Sequence, residues 1–217
     1  MKIEELKNKV WCIIRPNLIG NQIKDIGIMG AGFFISKDRF VTANHVLNQK
    51  AFEPDDNYNN NSILLLNLLG DAIILTPKSD ISYYKDKDIT LIKFEEEHPF
   101  IKLENYIQEG QTIFNLGYPS KEINKLITAE NGKIILKDCA KEDGRILRLI
   151  DDFSSNSNDV NLNNKKVIIT DYSSELGFSG GPLLNSNGKA VGVMSMVIPN
   201  NNRILSSKAV AVRAIEL

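Results

Sequence analysis

Short β-type apolar runs, broken by turn residues and never followed by a long 3.6-residue period, constrain this chain more than any single motif. They lie at 10–15 (VWCIIR), 26–35 (IGIMGAGFFI), 39–42 (RFVT), 63–68, 72–76 (AIILT) and 89–94 (ITLIKF). A second set lies at 112–116 (TIFNL), 125–129 (KLITA), 132–137 (GKIILK), 146–150 (ILRLI), 166–170 (KVIIT), 190–197 (AVGVMSMV) and 208–213 (KAVAVR). Many short strands between turns are the signature of sandwiches and barrels. Parallel strands need crossover helices, and no segment has the period to supply them, so a parallel βαβ fold is not expected. Residues 2–9, short and charged, read as a helix. The polar stretch EEEHPFIKLENYIQEGQ (95–111), with its proline and its late glycine, separates the two sets of runs.

With 217 residues, 42% hydrophobic and 24% charged, the chain can bury a sizeable core. A net charge of −1 with scattered basic residues predicts no nucleic-acid partner and no anionic membrane surface. The most apolar stretch, ILLLNLLGDAIIL (63–75), is interrupted by Asn67, Gly70 and Asp71, and reads as two strands and a turn rather than a membrane span. The charged start MKIEELKNKVW lacks the apolar stretch of a secretion signal, so a cytoplasmic location is expected. Cys12 and Cys139 are then expected as free thiols, without the Cys/His neighbours of a metal site. No cofactor is expected either: Gly30 and Gly32 begin a G-x-G, but the third glycine of G-x-G-x-x-G falls on Ile35. The Asn-rich pieces at 55–61, 154–166 and 199–202 read as exposed loops, and His98 in EEEHPF as a solvated loop residue.

The chemistry concentrates in GFSGGPLLNSNGKAVGV (177–193). Gly177–Gly181 fits G-x-S-x-G, the strained turn of α/β-hydrolases, whose base follows the nucleophile in the chain. Both histidines, His45 and His98, precede Ser179, which leaves that fold without a base. The order His, Asp, Ser remains. His45 follows the strand FVTA, and Asp88 opens the apolar run ITLIKF, with Asp86 as the alternative acid.

GAGFFIS…FVTANHV, DITLIKF, LGYPS and GFSGGPLLNSNGKAVGV resemble the motif set of the trypsin-like (chymotrypsin-fold) serine peptidases, nearest the bacterial HtrA-like type without a PDZ domain. The resemblance runs from about residue 10 to 215. It implies an all-β fold of two six-stranded antiparallel barrels with the active site in the cleft between them. The first barrel (10–97) carries His45 and Asp88, 98–111 is a linker, and the second barrel (112–217) carries Ser179. It implies a serine endopeptidase acting on polypeptides through an acyl-enzyme, with Ser179 as nucleophile, His45 as base and Asp88 orienting it. The backbone N–H groups of Gly177 and Ser179 form the oxyanion hole. Ser195, Met196 and Val197 pair with an extended substrate, and Ser173 and Met196 border the pocket for the residue before the cut, their types implying no fixed charge there.

Two departures stand out. Phe178 occupies the position where many members have Asp or Asn, and an aromatic ring cannot make the ion pair that orders the oxyanion loop after N-terminal cleavage. No peptide-binding module is expected after the second barrel. Narrow specificity or control by a partner protein is therefore expected. The alternatives are a latent protein-binding scaffold on the peptidase fold, and an esterase acting on small acyl substrates.

Overall fold

The computed structural model describes residues 2–19, 22–54, 61–130, 133–156, 160–198 and 208–217, and in it the apolar runs pair as antiparallel strands. The first set forms β1 (Val10–Ile19), β2 (Gln22–Phe34), β3 (Arg39–Ala43), β4 (Ile63–Leu66), β5 (Ala72–Leu75), β6 (Ile81–Tyr84) and β7 (Ile89–Lys93). These make one curled seven-stranded sheet in the order β5-β4-β1-β2-β3-β7-β6. The second set forms β8 (Thr112–Gly117), β9 (Ile127–Glu130), β10 (Lys133–Leu136), β11 (Ala140–Asn156), β12 (Asn161–Thr170), β13 (Pro182–Asn185), β14 (Ala190–Ile198) and β15 (Lys208–Arg213). Six of these close a barrel, β11-β12-β15-β14-β13-β8, while β9 and β10 form a separate hairpin. This is the two-unit chymotrypsin-like arrangement, with the first unit a seven-stranded sheet. The charged N-terminal segment contributes the short helix α1 (Ile3–Lys7).

The turn inside 63–75 forms as its residues predict. The Asn67 side-chain oxygen accepts the N–H groups of Leu69 and Asp71, the local capping that lets an Asn reverse a chain. Two strands escaped the pattern. β6 (ISYY) is only four residues long, and β13 (PLLN) begins with proline and hides in the glycine-rich stretch, although all four of its residues are buried. Run 125–129 begins with a short helix, α2 (Ile123–Leu126), before β9.

The loop expected at 154–166 is a correction: its described part lies in the ends of β11 and β12. Val160 and Leu162 are buried, while Asn161, Asn163 and Asn164 are exposed. Asn164 takes φ 53°, a conformation asparagine tolerates better than most residues. Residues 55–60, 157–159 and 199–202 of the Asn-rich pieces lie outside the described residues.

Trp11, Ile13, Phe34, Phe40, Leu47 and Leu65 pack one face of the first sheet. Phe178, Ile113, Ile146, Ile168, Leu183 and Met194 fill the barrel. A third cluster joins the two, bringing Val10, Cys12, Phe33 and Val41 against Leu116, Tyr118 and Cys139. There the Tyr118 hydroxyl donates to the Val10 carbonyl at 2.8 Å. The stretch 98–111 is laid across both units: Ile101 N–H donates to Phe34 O, and Ala190 N–H donates to Lys102 O.

His98 is not a solvated loop residue. Its ring stacks on Phe34 with centroids 4.3 Å apart and meets Trp11 and Phe94 edge-on, closing the aromatic cluster of the first sheet. Its imidazole also lines a cavity of about 630 Å³ away from Ser179. Cys12 and Cys139 are free and wholly buried. Among the described residues, no helix is long and apolar enough to cross a membrane.

Candidate active site

Adjacent strands bring His45 and Asp88 together. β3 pairs with β7 up to Ala43↔Ile89, so the residues just past that rung, Asn44–His45 and Asp88, meet at one end of the sheet. Beyond β3 the chain makes one helical turn, with Val46 and Leu47 N–H groups donating to Ala43 O. Buried Val46 and Leu47 fix that turn and leave His45 at the surface of the cleft.

Asp88 is 1% exposed and takes φ 52°, a left-handed conformation that is costly for a non-glycine residue and clusters at functional sites. Its own carbonyl accepts Asn44 N–H at 3.0 Å. Its carboxylate accepts the His45 backbone N–H at 2.9 Å and faces His45 Nδ1 at 3.1 and 2.9 Å through its two oxygens. With carboxylate oxygens at Nδ1, that nitrogen carries the proton and Nε2 remains an acceptor. Asp86, the alternative acid, sits in a 3-10 turn, is exposed and pairs with Lys165 at 2.9 Å, which lowers its pKa.

Sequence reasoning assigned Ser195 a main-chain contact with substrate and missed its side chain. Its buried hydroxyl donates to Asp88 Oδ2. The register between β14 and β15 shifts between Met194 and Met196, so Ser195 sits at a bulge, a device that re-aims one side chain. The signal in the sequence was a lone serine inside the apolar run AVGVMSMV, a position that demands a partner.

Ser179 is carried by a turn stitched to both units. Its carbonyl accepts Ala31 N–H of β2 at 2.8 Å, and the next residue, Gly180, donates to Met194 O at 2.7 Å. Gly177 and Gly180 have φ of 104° and 80°, which L-residues avoid, and a Cβ on Gly180 would collide with Ala31 O and Thr42 Oγ1. The N–H groups in the turn alternate in use. Those of Phe178, Gly180 and Gly181 donate to backbone carbonyls, whereas those of Gly177 and Ser179 have no backbone acceptor among the described residues. Phe178 is 2% exposed and points into the barrel core against Gly117, so an apolar anchor holds this turn.

His45 and Ser179 line one cleft of about 470 Å³. No hydrogen bond joins the two side chains among the described residues. Ser195, Met196 and Val197 also line the cleft. β13 pairs with β14 only as far as Val193, so over these three residues that edge of β14 has no strand partner among the described residues. Ser173 is exposed and does not line the cleft; its neighbour Ser174 does.

A family model described as trypsin-like peptidase domain matches residues 30–193. The HtrA-type protease AlgW with a decapeptide aligns with a TM-score of 0.69 at 14% identity, covering 99% of this chain and 63% of that one. The Rv3671c protease from M. tuberculosis in its active form gives 0.64 at 20% identity, covering 99% and 79%. The MamO protease domain from Magnetospirillum magneticum gives 0.65 at 13%, covering 99% and 96%. At such identities the likeness is one of fold. The chain spans less than two thirds of AlgW. Comparison with proteins of curated function finds no match.

Proposed function

Because the chain belongs to the trypsin-like peptidase domain family, we propose that it is a serine endopeptidase using Ser179, His45 and Asp88. The observation that carries this reading is His45 Nδ1 held by the buried Asp88 carboxylate at 2.9 Å, in the cleft that Ser179 lines. Ser179 Oγ attacks the substrate carbonyl as its proton passes to His45 Nε2, and the resulting oxyanion is held by the Gly177 and Ser179 N–H groups. His45 then protonates the departing amine, leaving an acyl-enzyme that water hydrolyses by the same steps in reverse. Asp88 stays ionised throughout and stabilises the imidazolium. The edge of Ser195–Val197, which has no strand partner among the described residues, suits an extended polypeptide, which would add a strand there.

The Gly177 and Ser179 N–H groups, without a backbone acceptor among the described residues, support a working oxyanion hole over a latent scaffold. Phe178 takes the place of an ion pair in holding the loop, so activation needs no newly cut N-terminus. Control then falls to narrow specificity or a partner protein. The two free, buried thiols support a cytoplasmic location. A fluorophosphonate probe should label the protein at Ser179, and a polypeptide substrate should be cut. Labelling that survives Ser179→Ala would overturn the assignment.

A further inference from the structure

The cavity of about 630 Å³ away from Ser179 is basic, in a chain whose net charge is −1. Among the described residues it is lined by Lys9, Lys37, Lys102 and Lys189 against the single carboxylate of Glu97. The four lysines come from separate parts of the chain. Lys9 precedes β1, Lys37 lies in the turn between β2 and β3, Lys102 in the stretch 98–111, and Lys189 in the turn between β13 and β14. Sheet, connecting stretch and barrel each contribute at least one ammonium group. The backbone beneath them is fixed. His98 N–H donates to Lys37 O at 2.7 Å, and Lys9 Nζ donates to Phe100 O at 3.1 Å. Ala190 N–H donates to Lys102 O and Ala190 O accepts Glu104 N–H, both at 2.8 Å, which sets Lys102 beside Lys189. The Asn185 side-chain oxygen accepts the N–H groups of Asn187 and Lys189 and closes the barrel's turn.

Four like charges gathered at one cavity repel one another, and the counter-charges around them fall short. Lys37 pairs with Glu97 at 2.9 Å, where both side chains are mostly exposed, and Lys189 pairs with Glu104 at 2.9 Å. Lys9 and Lys102 have no carboxylate within ion-pair distance among the described residues. Glu95 and Glu96, next in the chain to Glu97, are exposed and stand outside the lining. Lys9 is moreover half-buried. An ammonium partly withdrawn from water calls for a counter-charge, which an incoming anion supplies.

We propose that this cavity binds a small multivalent oxyanion, one carrying two or more phosphate or carboxylate groups, which bridges sheet, connecting stretch and barrel. The size suits such a ligand, since small-molecule pockets run from about 300 to 1,000 Å³. No arginine lines the cavity among the described residues. Recognition then rests on converging point charges rather than on planar forks, and affinity rises with the charge of the anion. The cluster was missed in the sequence because its members are spread from residue 9 to residue 189, where single lysines read as solvated.

Inorganic pyrophosphate, citrate and orthophosphate are titrated by calorimetry into the whole chain at about 0.15 M salt, where exposed charges act over only about 8 Å. Pyrophosphate or citrate should bind at a single site at least roughly tenfold more tightly than orthophosphate, as expected for one further charged contact. The tighter of the two identifies the source of the charge, phosphate or carboxylate. The double variant Lys9→Gln with Lys102→Gln should weaken that binding roughly 10–100-fold. Lys78→Gln with Lys133→Gln removes the same charge from exposed positions outside the cavity and should change it by less than about twofold. At a hundredfold excess over its Kd, the bound anion should raise the melting temperature of the wild type by about 5–10 °C. A cooperative melting transition establishes that both double variants are folded. No saturable binding of pyrophosphate or citrate, affinities equal to that of orthophosphate, or equal weakening in the two double variants would overturn the proposal. Ser179 is untouched and no bond is cut, so the outcome is independent of the endopeptidase reading.

Discussion

Replacing Ser195 by alanine tests the part of the site least visible in the sequence. The Asp88 carboxylate rests on three donors: the His45 backbone N–H, His45 Nδ1 and the Ser195 hydroxyl. With Asp88 1% and Ser195 2% exposed, water cannot readily replace the lost donor. A hydrogen bond to a charged group contributes about 1.5–3 kcal/mol. In a chain of this size each kcal/mol moves the melting temperature by about 2–4 °C, so Ser195→Ala should lower it by about 3–12 °C. Fluorophosphonate labelling of Ser179 should slow roughly tenfold, the equivalent of about 1.4 kcal/mol, because a less firmly held Asp88 orients His45 less well. A double-mutant cycle with Asp88→Asn isolates the contact, since the amide carries no charge for the hydroxyl to stabilise. Coupling of about 1 kcal/mol or more is expected for residues in direct contact. Strictly additive losses would refute the assignment of Ser195 as the third support of the acid.

Phe178→Ala should cost about 3–5 kcal/mol of stability, the range for emptying a buried aromatic site, and denaturant unfolding would measure it; a loss below about 1 kcal/mol would show that the ring does not anchor the serine turn. Burial pushes the Cys139 thiol up to about 12 and raises Cys12 well above its usual range, so neither should react with iodoacetamide at pH 8 until the protein is unfolded, as mass spectrometry would show. Burial makes Glu142 hold its proton more tightly in the folded than in the unfolded chain, so its contribution to stability is fullest below the ordinary carboxylate range and is lost as pH rises through its folded value. The melting temperature of Glu142→Gln relative to wild type should therefore climb as pH rises above the ordinary carboxylate range, and a pH-independent difference would contradict this. Asp86→Asn removes only a surface ion pair and should change stability by less than about 1 kcal/mol, with the labelling rate of Ser179 retained.

What the sequence disclosed follows from which constraints act locally. β1, β3, β7, β14 and β15 were legible because their apolar runs are nearly uninterrupted and are bounded by turns. β6 and β13 were not, because four residues carry too little pattern, and β13 is defined by pairing with β8 and β14 rather than by its own composition. The hairpin of β11 and β12 was masked by asparagines, whose preference for turns was overridden by the inward packing of Val160 and Leu162. His45 and Asp88 could be found because each sits at the end of a clear strand, and the rung between those strands places them side by side. Ser195 could not, since what it does depends on a partner brought in by tertiary packing across 107 residues. His98 was misjudged because its charged neighbours say nothing of Phe34, Phe94 and Trp11 meeting around its ring.

The bond from Ala31 N–H to the Ser179 carbonyl has a consequence for how such a chain comes into being. The turn that bears Ser179 is itself part of the seam between sheet and barrel, and His45 and Asp88 arrive from the opposite side of that seam. On the proposed reading, a nascent or partly unfolded chain with only one unit assembled has its serine on one piece and its histidine on the other. It cannot cut a neighbour, or itself, before docking is complete. On that reading, hydrolytic competence appears only in the last step of assembly, when sheet and barrel dock.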